Sequence, residues 1–112
     1  MVQKYTLIFD KVMIAQLKKL GEDQNVRNLL VKMFDKMEIL GPRAGDLIDS
    51  QLFLYEMKSK HPPLRLYYWH NKINDELYVF EYEMKTSSHK QEKTISKLKR
   101  KLPPLRNQGL SL

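Results

Sequence analysis

Three β-rich runs follow one another in the second half of the chain, and they constrain the fold more than any other feature. They occupy residues 51–58, 64–70 and 76–84 and are crowded with aromatic side chains, which is typical of a half-buried sheet. The segments between them, 59–63 and 71–75, have hairpin length and contain Pro, Asn and Asp. The pattern predicts an antiparallel meander.

A short strand and a helix are predicted at the start of the chain. Residues 5–9 form a β-rich run that fits a first strand, at an edge of the sheet. Asp10 is suited to cap the helix that follows, and Gly21 to end it. The apolar positions of this helix are Ile14, Leu17 and Leu20.

The second helix has the most regular pattern in the chain. Asp23 or Asn25 can cap it, and Gly41-Pro42 ends it. Its apolar residues recur at the spacing of one helical face. They are Val26, Leu29, Leu30, Met33, Phe34, Met37 and Leu40. Residues 43–50 are predicted to be a polar connector.

A third helix is predicted from Ser88 to the Pro103-Pro104 pair, with a flexible tail over 103–112. Its narrow apolar stripe consists of Ile95, Leu98 and Leu102. The element order is therefore β-α-α-β-β-β-α within one domain, residues 1–102. We predict an α+β fold: a small twisted antiparallel sheet with the two N-terminal helices packed on it and a basic C-terminal helix.

The net positive charge of the chain arises entirely in its second half. Residues 1–57 carry eight Lys/Arg and eight Asp/Glu, whereas residues 58–112 carry twelve basic and five acidic residues. The second half therefore holds the whole formal net charge of +7. This asymmetry indicates that one face meets a polyanion, with nucleic acid, the ribosome or an acidic protein as the partner class.

What the sequence lacks excludes other classes of function. The absence of cysteine excludes disulfides, thiolate catalysis and cysteine-based zinc sites. The three histidines lack metal-ligand spacing, so we predict no metal site and no cofactor. With no apolar signal-peptide core and no run of about eighteen apolar residues, the chain is predicted to be cytoplasmic, with no membrane segment.

The succession of strands is similar to that of a known family. Leu54-Tyr55-Glu56-Met57-Lys58 is followed by Leu64-Arg65-Leu66-Tyr67-Tyr68, then by a strand that ends before Lys85-Thr86, and then by a Lys-rich helix. Over residues 39–101 this order resembles the RelE/HigB toxins of bacterial type II toxin–antitoxin modules, within the RelE/ParE superfamily. It departs from the family at Met84, where many members have a second basic residue, and at Ser88-His89, where many have Thr-Pro.

The resemblance implies a metal-independent endoribonuclease that cleaves mRNA, usually on the ribosome, and so inhibits translation. It also implies a cognate antitoxin, expected to carry a helix-turn-helix domain. Lys58, Arg65 and Lys85 match basic positions of the family. His89, with Lys90 and Gln91 beside it, lies where the family often places a further acid, base or stacking residue.

The candidate residues suit this chemistry, because cleavage needs a base for the ribose 2′-hydroxyl, positive charge on the phosphate and an acid for the leaving oxygen. Arg65 is the candidate for the phosphate, or else a strand arginine paired with a neighbouring glutamate. Lys58 and Lys85 could orient the phosphate or supply the base, or remain solvated. His89 is the candidate acid, with His70 as a second choice; His61 is predicted to lie in an exposed loop.

The last helix and the aromatic residues beside Arg65 leave alternatives open. The predicted RNA-binding residues of the helix are Lys90, Lys93, Lys97, Arg100 and Lys101, which otherwise form a solvated face. Tyr67 and Trp69 share a sheet face with Arg65 and either stack bases or pack under a helix, which would leave Arg65 at the rim. The alternatives at the level of function are a ParE-like inhibitor of DNA gyrase and a degenerate relative that only binds RNA or protein.

Overall fold

The computed structural model describes residues 4–110, with side chains through residue 102. Its elements are β1 (Thr6–Phe9), α1 (Lys11–Leu20), α2 (Gln24–Leu40), a 3₁₀ turn (Gly41–Ala44), β2 (Asp46–Asp49), β3 (Leu54–Lys60), β4 (Pro63–Asn71), β5 (Glu76–Met84) and α3 (Ser88–Leu110). Three helices pack on one five-stranded sheet, which confirms the predicted α+β class.

The strands are ordered β1-β5-β4-β3-β2 across the sheet. The predicted meander of β3, β4 and β5 is confirmed as antiparallel, and β1 lies at an edge as expected. β1 runs parallel to β5, so the prediction of a wholly antiparallel sheet is wrong: the sheet is mixed. Local patterns cannot reveal this pairing, because two helices and three strands separate the partners along the chain.

β2 is a strand that the sequence pattern did not predict. It lies within the segment expected to be a polar connector, and it pairs with β3 in an antiparallel register interrupted by a bulge. Its residues Asp46 and Asp49 are poor strand formers, which hides it from propensity arguments. Gly45 precedes it, where a Cβ would collide with the carbonyl of Glu56 on β3, so the close approach of the two backbones requires glycine.

The caps of the first two helices follow the predicted positions. The Asp10 carboxylate accepts a hydrogen bond from the Val12 N–H at 3.0 Å, and Asp23, rather than Asn25, caps α2. Gly41 ends α2 with φ +61°, and a Cβ there would overlap the ring of Tyr5. Only glycine therefore meets both demands of this helix end.

α1 and α2 cover one face of the sheet and enclose the larger apolar core. Its fully buried members include Met13, Leu30, Met37, Leu64, Leu66, Tyr68, Leu77 and Val79. The predicted stripe of α2 is confirmed. In α1, however, Met13 is the buried residue and Ile14 is exposed, because the helix turns the face centred on Met13, with Leu17 and Leu20 half-buried beside it, toward the sheet.

α3 crosses the opposite face of the sheet over a second apolar cluster. Leu98 and Leu102 are fully buried against Tyr67, Trp69 and Phe80. Of the two interpretations of the aromatic residues beside Arg65, packing under a helix is therefore the one that the structure shows.

The helix begins at Ser88 as predicted but continues to Leu110, so the expectation that Pro103-Pro104 ends it is wrong. A proline removes a backbone hydrogen bond and crowds the preceding turn without making continuation impossible. A domain boundary at residue 102 and a flexible tail beyond it stay predictions.

Candidate functional site

Three cations predicted for catalysis meet at one end of the sheet. Lys58 on β3 lies directly opposite Arg65 on β4. Lys85 follows β5 immediately, and its N–H donates to the Pro63 carbonyl at 2.9 Å where β4 begins. Residues directly opposite each other point to the same side of a sheet, so Lys58 and Arg65 share the face that α3 covers. His89 lies nearby in sequence, exposed in the first turn of α3.

Two buried glutamates accompany these cations. Glu83 on β5 lies directly opposite Arg65, and Glu56 is two residues before Lys58, so both belong to the same face. The Arg65 Nε lies 3.7 Å from Glu56 Oε2, and the Arg65 side chain is only 18% exposed. The pairing of a strand arginine with a neighbouring glutamate, one of the two interpretations of Arg65, is thus present in this conformation.

Hydrogen bonds from β4 and α3 complete the surroundings of these glutamates. Glu83 accepts from the Tyr67 hydroxyl at 2.5 Å and from the Thr94 hydroxyl at 2.6 Å. Glu56 accepts from the Gln91 side-chain amide at 3.1 Å. Burial, reinforced by the hydrogen bond to Glu83, raises the pKa of the Tyr67 hydroxyl well above its usual value. Tyr67 therefore stays a neutral donor throughout the physiological range.

The two lysines of the site differ in exposure. Lys58 is half-exposed, and its Nζ lies 3.6 Å from Asp46 Oδ2, which is itself mostly exposed. Solvent screens such a pair, so it holds Lys58 only weakly and leaves the ammonium group available. Lys85 is half-buried beside the first turn of α3.

The lysines and arginines of α3 fall into two groups. Some form ion pairs with carboxylates of the same chain, and the others face solvent. Lys97 Nζ lies 2.8 Å from the buried carboxylate of Glu81, and Lys101 Nζ lies 3.6 Å from Asp10. These two predicted RNA-binding residues thus anchor α3 on one flank. Lys99, which the pattern did not single out, pairs with Asp49 at 3.2 Å on the other flank.

The other three predicted RNA-binding residues of α3 are exposed: Lys90, Lys93 and Arg100. Within the part of the chain whose side chains are described, none of them forms an ion pair. They leave positive charge exposed along α3.

The remaining histidines lie away from this site. His70 is buried at the far end of β4, where its Nε2 lies 3.1 Å from Asp75 Oδ1. His61 is exposed in the loop between β3 and β4, as predicted. His70 is therefore not positioned to assist Arg65.

Sequence reasoning missed the buried carboxylates Glu81 and Glu83 and their partner Thr94. Period two shows only that Glu81 and Glu83 share a face, and it would place them with the core residues Leu77 and Val79. The bulge where β5 pairs with Tyr67 and Tyr68 shifts the alternation and turns both glutamates to the α3 face. The pattern did not show that this face is covered by a helix.

No three acidic or imidazole side chains among residues 4–102 come together as a metal site. In the same described region, no helix has both the length and the apolar character needed to cross a membrane.

Comparison with known proteins places the fold. No family model matches the sequence, and no curated protein matches it. Among solved structures, the isolated E. coli RelE toxin superposes with a TM-score of 0.61 at 22% identity, covering 84% of this chain and 98% of that one. The chain has the RelE fold.

Two further solved structures agree with this RelE-like fold. The toxin in the intact E. coli RelBE toxin–antitoxin complex gives a TM-score of 0.59 at 24% identity, covering 74% of this chain and 99% of that chain. A doubly substituted E. coli RelE in the free state gives a TM-score of 0.63 at 23% identity, covering 84% of this chain and 97% of that chain. At this identity the likeness shows a common fold, and the activity has to be argued from the site.

Proposed function

We propose that this protein is the toxin of a type II toxin–antitoxin module and acts as a metal-independent mRNA endoribonuclease. The observation that carries the proposal is the grouping of Lys58, Arg65 and Lys85 at one end of a RelE-like sheet. Three cations, two on adjacent strands and one directly after the third, suit a scissile phosphate, whose charge rises in the transition state.

Each residue of the group has a role in this proposal. The Arg65 guanidinium presents a planar fork to two phosphate oxygens and stays charged at any physiological pH. Lys58, half-exposed beside it, orients the phosphate as a cation, or in its neutral amine form takes the 2′-hydroxyl proton. Lys85 neutralises the developing charge, and His89 protonates the leaving 5′-oxygen.

Substrate binding requires Arg65 to change partner. In the conformation described here its Nε faces Glu56, so a phosphate has to compete with that carboxylate. The Gln91 side-chain amide already donates to Glu56. The carboxylate therefore keeps one hydrogen-bond donor when the guanidinium turns toward RNA. The exposed cations of α3, Lys90 and Lys93, extend the positive surface away from the sheet for the flanking nucleotides.

The cellular setting follows from the same proposal. The toxin acts in the cytoplasm on mRNA, in association with the ribosome, and an antitoxin with a helix-turn-helix domain neutralises it. The RelBE complex among the similar structures shows a protein of this fold with an antitoxin bound.

The test is a cleavage assay with the purified protein and a defined mRNA in EDTA, with and without translating ribosomes. Arg65→Ala is expected to lose cleavage by about a hundredfold or more. The matched control is Arg43→Ala, an exposed arginine in the 3₁₀ turn, which is expected to cleave like the parent. Cleavage retained by folded Arg65→Ala would refute the site.

A protein-binding role without cleavage is the second candidate, favoured by the Arg65–Glu56 ion pair and by the apolar Met84 beside Lys85. Both features reduce the positive charge offered to RNA. A ParE-like inhibitor of DNA gyrase would accumulate stalled gyrase–DNA complexes on induction while mRNA stays intact. A degenerate relative that only binds would leave growth, mRNA and gyrase unaffected.

A further inference from the structure

Arg65 lies between two buried carboxylates that differ in how fully they are occupied. Glu83, directly opposite on β5, accepts a hydrogen bond at each of its oxygens, from two hydroxyl groups at 2.5 and 2.6 Å. Glu56 on β3 accepts a longer bond, 3.1 Å from the Gln91 amide, at Oε2. Glu83 is therefore committed to the protein, whereas Glu56 has acceptor capacity left for Arg65.

The ion pair between Arg65 and Glu56 is incomplete. The 3.7 Å between Arg65 Nε and Glu56 Oε2 exceeds the roughly 3.2 Å at which an N–H donates a hydrogen bond. The Nε is buried, and among the residues that the structure describes it has no hydrogen-bond acceptor. Charge therefore draws the guanidinium toward Glu56 but leaves it short of a hydrogen bond, which a phosphate oxygen would supply.

Glu56 nevertheless competes with dissolved RNA for Arg65. Both residues lie on paired strands, β3 and β4, so the carboxylate stays beside the guanidinium at a high and constant effective concentration. The contact is also shielded, because the side chains of Arg65 and Glu56 are only 18% and 10% exposed, and salt screens it little. A phosphate displaces Glu56 only if the rest of the RNA contributes free energy through other contacts.

The protein offers such contacts mainly through exposed cations. Lys58 is half-exposed, and Lys90 and Lys93 are exposed on the first turns of α3. Contacts between exposed cations and phosphates are weakened by salt, so they add little for a short RNA in solution. An mRNA that is already held in place brings its phosphate to Arg65 at a high effective concentration and depends less on them.

We propose that Glu56 is a positioning residue that acts through Arg65: it holds the guanidinium off the phosphate and so favours mRNA held on the ribosome over free RNA. The inference rests on the proposed RNA cleavage. Because every RNA has to displace the same carboxylate, Glu56 raises Kd and KM by a constant factor and leaves kcat unchanged. The penalty acts on RNA below saturation and disappears for an mRNA presented at a saturating effective concentration.

Other roles for Glu56 give different outcomes. If Glu56 only kept Arg65 in its binding position, loss of the carboxylate would loosen the guanidinium and weaken the binding of RNA. If Glu56 acted only through the overall charge of the face, loss of the charge on Glu83 would have the same effect. The sign of the change and its dependence on Arg65 therefore separate these roles.

The probe is an RNA oligonucleotide whose ribose at the scissile position lacks the 2′-hydroxyl, titrated against the parent and its variants. Glu56→Gln removes the charge, keeps the size and still accepts from Gln91. Glu83→Gln is the matched control, a buried carboxylate of the same face. Glu56→Gln is also combined with Arg65→Ala in a double-mutant cycle, and cleavage of free and of ribosome-bound mRNA is measured for the parent and Glu56→Gln.

We expect Glu56→Gln to bind the oligonucleotide about tenfold more tightly and to lower the KM for free mRNA by the same factor, with kcat unchanged. Glu83→Gln should stay within about twofold of the parent, because that carboxylate already has its partners. The gain from Glu56→Gln should disappear in the Arg65→Ala background, and cleavage on ribosomes should change by less than about twofold.

Equal or weaker binding by Glu56→Gln would overturn the proposal, as would the same gain from Glu83→Gln, a gain that persists without Arg65, or an equal gain for free and ribosome-bound mRNA. If Trp69 emission shows that Glu56→Gln does not fold, Glu56→Asp replaces it, since it retracts the carboxylate by one methylene and should shift affinity in the same direction. A parent that cleaves RNA while these outcomes fail leaves the proposed activity standing, whereas a parent that binds no RNA would overturn both.

Discussion

The two faces of the sheet are built from different chemistry. Between the sheet and α1 and α2 lies an apolar core of leucines, methionines, two valines, one alanine and one buried tyrosine, with hardly any buried charge. Under α3, a smaller apolar cluster adjoins a polar network in which Glu56, Glu81 and Glu83 are all buried. The first face stabilises the fold, and the second holds a helix over the charged residues to which we assign the proposed function.

This difference determines how each face responds to change. Apolar contacts contain no charge that acid can neutralise or salt can screen, whereas the contacts of α3 include the ion pairs of Lys97, Lys99 and Lys101 with carboxylates. Ion pairs with one exposed partner are weakened by salt and by protonation of the acid. We therefore expect α3 to detach before the rest of the molecule unfolds.

The largest effect on stability is expected from truncation of a leucine on the apolar face. Leu66→Ala removes a fully buried side chain under α1 and α2 and should lower the free energy of unfolding by about 3 kcal/mol. Leu98→Ala removes a fully buried leucine under α3, but the loss is limited to the free energy of docking that helix.

Denaturant unfolding followed by circular dichroism and by Trp69 emission measures both variants. Trp69 is the single tryptophan and lies under α3, so its emission reports detachment of that helix. In Leu98→Ala the emission should change before the circular dichroism does. If the emission and circular dichroism transitions coincide in both variants, and both lose the same free energy of unfolding, the two faces do not differ in the way described.

A smaller effect is expected when Glu83 loses its carboxylate. Glu83→Ala leaves the hydroxyls of Tyr67 and Thr94 without their acceptor, which should weaken the docking of α3 by about 1–3 kcal/mol. Glu83→Gln should cost less, because a hydroxyl can accept from the new amide as well as donate to its oxygen. Rates of amide hydrogen exchange in α3 compare how firmly the helix is docked in the parent and the two variants. Equal rates in all three would show that Glu83 does not stabilise the docking of α3.

A pH effect of lesser size follows from two aspartates that bind α3. Burial opposes ionisation of Asp10, but hydrogen bonds from Tyr78 and Val12, with Lys101 nearby, lower its pKa below the usual 3.8. The Leu52 N–H, with Lys99, lowers the pKa of Asp49 likewise, against a smaller effect of burial. Because the folded pKa values lie below those of the unfolded chain, the stabilisation is present above about pH 4 and is lost as pH falls further.

Trp69 emission measured from pH 6 down to pH 2 tests this sign. Asp10→Asn keeps the helix cap but removes the charge facing Lys101, so its acid dependence should be shallower than that of the parent. Parallel acid profiles for the two proteins would show that Asp10 does not contribute through its charge.

The smallest effect on stability is expected at Lys58. Its ion pair with Asp46 is exposed, so Lys58→Ala should change the free energy of unfolding by less than about 0.5 kcal/mol. Cleavage should nevertheless fall by about a hundredfold if Lys58 acts on the 2′-hydroxyl. Lys60→Ala, at the exposed end of β3, is the control for loss of charge. A variant that loses stability but keeps cleavage would reverse the assignment of Lys58.

Much of the fold could be predicted because it is encoded locally. The stripe of α2, the cap at Asp10 and the hairpins of the meander each depend on residues close together in the sequence. Two features could not be predicted: the pairing of β1 with β5, and the strand β2. Tertiary packing decides both the parallel partner of β1 and the formation of a short acidic edge strand.

For the candidate site, the sequence predicted which residues share a face of the sheet better than it predicted which groups surround them. The alternation along β4 placed Arg65, Tyr67 and Trp69 on one face, as the structure shows. The helical pattern put Lys97 and Lys101 on the solvent side, yet both flank the apolar stripe and their long side chains reach back to carboxylates. The sequence alone does not show which acids lie within that reach.

The most direct test of the functional face is an NMR titration of the protein with an oligonucleotide whose ribose at the scissile position lacks the 2′-hydroxyl. Such a ligand binds without being cleaved, because the attacking group is missing. We predict amide shifts at Lys58, Arg65 and Lys85, with extension into the first turns of α3. Shifts confined to α1 and α2, or none at millimolar ligand, would contradict an RNA site on the α3 face.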